Sequence, residues 1–121
     1  EKYEDTLDTL FKIRESFLPI LQICEVRVIK GDKIPLSPAF GGLTVAFHFT
    51  WFKKQEELLV ALSYIESHLK VKPHFGKLFS MNPRRFRSLY KLGPLQRLMQ
   101  KHDPNGIFCN KYSKTYISPK L

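Results

Sequence analysis

Apolar side chains recur along this chain with two different periods, and the change of period marks out its elements. Within residues 3–17 (YEDTLDTLFKIRESF), Leu7, Leu10, Phe11, Arg14 and Phe17 fall at helical spacing. Acidic residues occupy the first turns, where the helix dipole favours them, and Pro19 is expected to end the helix. Residues 20–30 (ILQICEVRVIK) and 44–52 (TVAFHFTWF) are rich in β-branched and aromatic side chains and read as strands. Between them, Gly31, Pro35, Pro38, Gly41 and Gly42 make a loop of 31–43. Residues 54–69 (KQEELLVALSYIESHL) return to the helical period, with Leu58, Leu59, Leu62, Ile65 and Leu69 on one stripe. VKPHFGKLF follows as a short extended piece broken by Pro73 and Gly76. Asn82-Pro83 opens one further helix and Gly93-Pro94 another, before an irregular tail, DPNGIFCNKYS, in which Asp103-Pro104-Asn105-Gly106 reads as a turn. The predicted class is α+β: a small antiparallel sheet flanked by helices.

Composition narrows the function classes. The 121 residues amount to about one domain, and 43% hydrophobic with 26% charged residues is ordinary for a globular chain. No apolar run approaches the ~20 residues that a membrane helix needs. Cys24 and Cys109 cannot form a disulfide framework, and His48, His68, His74 and His102 show no metal-ligand spacing, so no metal site is expected. The net charge of +9 suggests an anionic partner. The positives are dispersed through the second half, however, which favours a solvated basic face over a nucleic-acid site. The chain opens at Glu1, inside an apparent helix and with no charged-then-apolar leader, and is expected to be a piece of something longer.

Alternation along the strands groups the polar residues. One face of the first strand carries Leu21, Ile23, Glu25, Arg27 and Ile29; one face of the second carries Thr44, Ala46, His48, Thr50 and Phe52. If the strands pair, Glu25, Arg27, His48 and Thr50 project into one place. Polar residues at alternate positions often mean only that a sheet face meets water. Apolar flanks around a charged middle instead suggest the lining of a pocket. Phe47, Phe49 and Trp51 alternate as in an RNA-stacking sheet, but without an RNP-like run they read as core. Lys77, after Pro73-His74-Phe75-Gly76, is a cation in a constrained stretch, or simply a surface lysine.

The run EVRVIKGDKIPLSPAFGGLTVAFHFTW, then KPHFGKLF, then DPNGIFCNKY, resembles the C-terminal part of the FAD-dependent alditol oxidases. These stand with the aldonolactone oxidases among vanillyl-alcohol-oxidase-type flavoproteins. E-x-R, L-S-P-A-F-G, H-F-T-W and P-H-F-G-K stand in the family's order, although Phe75 replaces a common tryptophan. The resemblance implies a substrate-binding or cap region over 1–121, part of a larger two-domain flavoprotein, with a broad antiparallel sheet. Roughly 100–121 would return to an FAD-binding domain that this sequence does not contain. It implies oxidation of a primary alcohol of a sugar alcohol, with hydride passing to flavin N5 and oxygen giving hydrogen peroxide. Arg27, Lys77 and His48 would be catalytic, Glu25 and Thr50 would join them in binding substrate, and Lys77 with His74 would approach the cofactor. The partners would be a polyol and oxygen, the location cytoplasmic, and the isolated chain would hold neither FAD nor activity. A sugar-1,4-lactone oxidase or a dehydrogenase of the same family is an alternative, and a basic anion- or nucleic-acid-binding module is one from another class.

Overall fold

A computed structural model describes residues 2–118; Glu1 and residues 119–121, the extreme ends of the expected 1–121 region, lie outside the described residues. Helix α1 spans Tyr3–Ile13, strand β1 Leu21–Ile29, strand β2 Thr44–Trp51, helix α2 Gln55–His68, helix α3 Pro83–Leu89 and helix α4 Gly93–His102. The first helix stops well before Pro19. From Arg14 to Ile20 the chain tightens into two 3₁₀ turns, closed by Phe17 N–H to Arg14 O (3.0 Å) and Ile20 N–H to Phe17 O (3.1 Å). This tightening turns Phe17 and Ile20 into the core, whereas Phe11, expected on the buried stripe, faces solvent and Thr6 is buried in its stead.

β1 and β2 pair antiparallel, with Glu25 opposite His48, Arg27 opposite Ala46 and Ile23 opposite Thr50. The register slips between Leu21 and Ile23, because Leu21 pairs with Trp51. That bulge moves Leu21 off the face it was expected to share with Ile23 and onto the core side with Phe47, Phe49 and Trp51. There the aromatics pack as predicted for a core. Phe49 and Trp51 stack at 5.3 Å, and Phe17 meets both edge-on at 6.0 and 6.3 Å. Ala61 and Ile65 from α2, Leu69 just past its end and Leu10 from α1 complete this cluster. The α2 stripe is therefore centred on Ala61, Leu62 and Ile65, and Leu59 lies outside it, facing solvent.

A second cluster forms around Met81, Phe86, Tyr90 and Leu92. Phe86 is fully buried, within 4.7–5.5 Å of the Tyr90, Tyr116 and Phe79 rings. Asn82 caps α3 by accepting the Arg84 N–H at 2.8 Å, as the Asn-Pro signal implies. The tail is less irregular than its composition suggests. Asp103 accepts the N–H groups of Ile107 and Phe108, Gly106 supplies the positive φ (+66°) of the turn, and a π-helical turn spans Ser113–Ile117.

The neck of the β1–β2 loop is a close backbone approach. A Cβ on Gly31 would stand 2.3 Å from the carbonyl carbon and oxygen of Gly42, atoms that cannot swing aside. Gly31→Ala is expected to destabilise the protein by about 1–3 kcal/mol through overpacking. A urea titration checks this: the midpoint should fall at unchanged slope, and an unmoved midpoint would contradict the close approach.

Candidate active site

The site is built on the β1–β2 ribbon. Antiparallel pairing places Glu25 and His48 directly opposite each other, and their side chains meet across the strands: His48 Nδ1 lies 2.8 Å from Glu25 Oε2. Arg27, two residues on along β1 and so on the same face, donates from Nη2 to both Glu25 oxygens at 2.9 and 3.0 Å. Thr50, two residues from His48, shares that face. The structure thus brings together the four strand residues that alternation grouped.

The bonds dictate protonation. An ionised carboxylate only accepts, so His48 Nδ1 carries the proton it shares with Glu25, and in the neutral ring the lone pair is then on Nε2. The His48 hydrogen bond, then the Arg27 guanidinium, hold the Glu25 carboxyl below the usual carboxylate range. A depressed pKa means that the carboxylate's contribution to stability is present above the ordinary glutamate pKa and is lost as pH falls through the lowered value. An NMR titration of Glu25 should therefore show a midpoint below that of a free glutamate, and His48→Ala should raise it. An equal midpoint in both proteins would deny the His48 bond its role.

This face is open. Arg27 is 58% and Glu25 39% exposed, and the flanking Ile23, Ile29 and Phe52 are also exposed. Among the described residues the expected apolar lining does not close into a pocket, because the sheet there has two strands and its flanking side chains stay exposed. The broad sheet implied by the resemblance is not within the described residues. Farther along, Val26 and Val28 on the opposite face are likewise uncovered.

Lys77 and His74 lie on the segment between α2 and α3. There Lys77 N–H donates to His74 O at 2.9 Å and Gly76 N–H to His74 Nδ1 at 3.1 Å, while the His74 ring stacks on Phe75 at 5.6 Å. The Lys77 side chain is exposed. Among the described residues, no hydrogen bond or ion pair joins Lys77 or His74 to the Glu25–Arg27–His48 group. Three anchors hold this segment. Glu66 accepts from Ser80 N–H and Oγ, the latter at 2.7 Å; Arg85 donates to the carbonyls of Glu66 and Leu69; and the Tyr90 hydroxyl donates to Pro73 O. Sequence reasoning did not find these anchors, because their partners lie 14–19 residues apart and no local pattern signals such a pairing.

Other features bear on the remaining readings. Arg85 and Arg87 donate to main-chain carbonyls, so part of the dispersed positive charge serves the fold. Among the described residues, no three His, Cys, Asp or Glu side chains are grouped to hold a metal ion, and no helix is long and apolar enough to cross a membrane. Burial and the neighbouring Glu25 charge raise the pKa of the Cys24 thiol, which argues against a reactive thiolate there.

Two comparisons bear on identity. Residues 2–116 match the family described as D-arabinono-1,4-lactone oxidase. The alditol oxidase of Streptomyces sp. (strain IKD472 / FERM P-14339) is 38% identical over 117 residues, covering 93% of this chain and 28% of that enzyme. The chain thus spans little more than a quarter of the length of this relative.

Proposed function

The chain belongs to the D-arabinono-1,4-lactone oxidase family, and on that premise we propose that it is the substrate-side part of an FAD-dependent oxidase acting on a primary alcohol of a sugar alcohol. One observation carries the proposal. A carboxylate, an imidazole and a guanidinium are hydrogen-bonded together on an exposed sheet face, with the imidazole bonded to the carboxylate through Nδ1. The name of the Streptomyces relative, alditol oxidase, supports a polyol as substrate.

The donor set fits the reacting end of a flavin: the cations Arg27 and Lys77 would offset negative charge on the reduced ring. The chain covers 28% of the Streptomyces enzyme, and the dinucleotide would be held mainly by the part of the full-length protein that corresponds to the remainder. The chemistry that FAD would supply when bound is acceptance of a hydride from the alcohol carbon, with oxygen as the final acceptor and hydrogen peroxide as its product. His48 would accept the hydroxyl proton at Nε2, with Glu25 holding the ring in the required tautomer. Arg27 and Lys77 would donate to the developing alkoxide. Thr50 and Glu25 would bind further hydroxyls and hold one carbon in place for transfer. His74, its Nδ1 engaged by Gly76, would contribute at most its remaining ring edge toward the cofactor. A cytoplasmic location belongs to the same proposal.

The test is the visible spectrum of the full-length protein before and after anaerobic addition of xylitol or sorbitol. A flavin band that bleaches and returns with air supports a polyol oxidase; bleaching without return indicates a dehydrogenase. The family's name, D-arabinono-1,4-lactone oxidase, favours a sugar-1,4-lactone as the second substrate reading, and bleaching by a lactone alone would select it. Absence of any flavin would overturn the proposal and return attention to the basic surface. The isolated 121-residue chain is expected to hold no flavin and no activity, and a tightly bound flavin in it would contradict that part.

A further inference from the structure

We infer that Glu66 and Arg85 form a clamp that positions Lys77, an inference that rests on the role proposed for Lys77. Residues 70–82 have no helix or strand of their own, and a cation carried on such a segment would ordinarily sample many positions. Both ends of this segment return to one residue. At its start, the Arg85 fork donates to Glu66 O (2.5 Å), in the last turn of α2, and to Leu69 O just past its end. At its end, the Glu66 carboxylate accepts the Ser80 N–H at 3.0 and 3.1 Å and the Ser80 hydroxyl at 2.7 Å.

The interior is held as well. Tyr90 fixes Pro73 O, and the His74 turn fixes the Lys77 backbone midway between Pro73 and Ser80. Buried Met81 then seats the exit of the segment in the second core cluster. Guanidinium geometry matters at Arg85, because two diverging carbonyls are engaged at once and a lysine offers only a point charge. Arg85 and Glu66 are thus positioning residues. Their bonds run to Ser80 and to the Glu66 and Leu69 carbonyls, and they act through where Lys77 stands.

The experiment uses the full-length protein with Arg85→Met, Lys77→Met and the double variant, reading flavin reduction by sorbitol together with amide exchange over residues 70–82. Arg85→Met is expected to slow reduction by about 10–100-fold, the scale of a small misplacement of a reacting group. The double variant should match Lys77→Met alone within about 2-fold, since a residue acting only through Lys77 has nothing left to disturb. Amides of 74–80 should exchange faster in Arg85→Met, and Arg85→Lys should recover only part of the rate. Losses that multiply in the double variant, or an unchanged rate in Arg85→Met, would overturn the inference. Should Arg85→Met not fold, Glu66→Gln leaves the carbonyl to Arg85 intact and must show the same non-additivity. If Lys77→Met alone leaves reduction unchanged, the role assigned to Lys77 is what fails. Unaltered exchange over 74–80 would then dismiss the clamp as well, whereas faster exchange would retain it as a device for ordering the segment.

Discussion

Arg27→Met in the full-length protein is expected to lower the rate of flavin reduction by sorbitol about 10²–10³-fold, the usual consequence of removing one donor that meets developing negative charge. The side chain is 58% exposed and its bonds run only to Glu25, so the fold should survive the change. Methionine keeps much of the length and removes the charge. Both Arg27 bonds come from Nη2, which leaves Nη1 and Nε available to an alkoxide. Loss should fall on the maximal rate more than on substrate affinity, because the interaction strengthens as charge develops. Wild-type turnover on every polyol and lactone tried would remove Arg27 from the mechanism.

Phe86→Ala carries the largest expected cost in stability, about 3–5 kcal/mol, the range for emptying a buried aromatic site. Phe86 is the one large side chain wholly shielded from solvent among the described residues. Its ring lies between Tyr90 at 4.7 Å, Tyr116 at 5.2 Å and Phe79 at 5.5 Å, so alanine leaves a cavity that three aromatic rings cannot readily refill. Thermal unfolding measures the effect, with Phe86→Leu expected to cost less than Phe86→Ala. A loss below about 1 kcal/mol for the alanine variant would mean that the cluster repacks, against the stiffness expected of close-packed cores. The substitution should also loosen the Tyr90 contact with Pro73, and so reach the Lys77 segment indirectly.

Local patterns carried much of the fold. The strands were legible because β-branched and aromatic residues alternate with polar ones, and α3 because Asn82-Pro83 pairs a capping side chain with a preset φ. The first helix was overextended. Leu10 and Phe17 share helical spacing, yet the chain reaches Phe17 through 3₁₀ turns rather than a continued α-helix. Leu59 and Phe11 show the same limit: periodicity proposes an apolar stripe, but the packing partner decides where its centre falls.

The site divides along the same line. Grouping Glu25, Arg27, His48 and Thr50 on one face needed only the two-residue period of strands, a property of every extended chain whatever surrounds it. The Leu21 slip, the His48–Glu25 bond and the tautomer it imposes depended on register, which belongs to the pair of strands and to neither alone. Whether the polar face is walled or open likewise depends on how many strands the sheet has, which alternation within one strand does not state. The anchoring of residues 70–82 by Glu66, Arg85 and Tyr90 joins groups 14–19 positions apart, with a main-chain N–H or C=O, which almost every residue possesses, on one side of most of these bonds. Local sequence therefore determined which side chains could stand together, because alternation and capping act over a few residues. Only the tertiary structure decided which of them meet, because hydrogen bonds between distant elements form wherever packing brings donor and acceptor within reach.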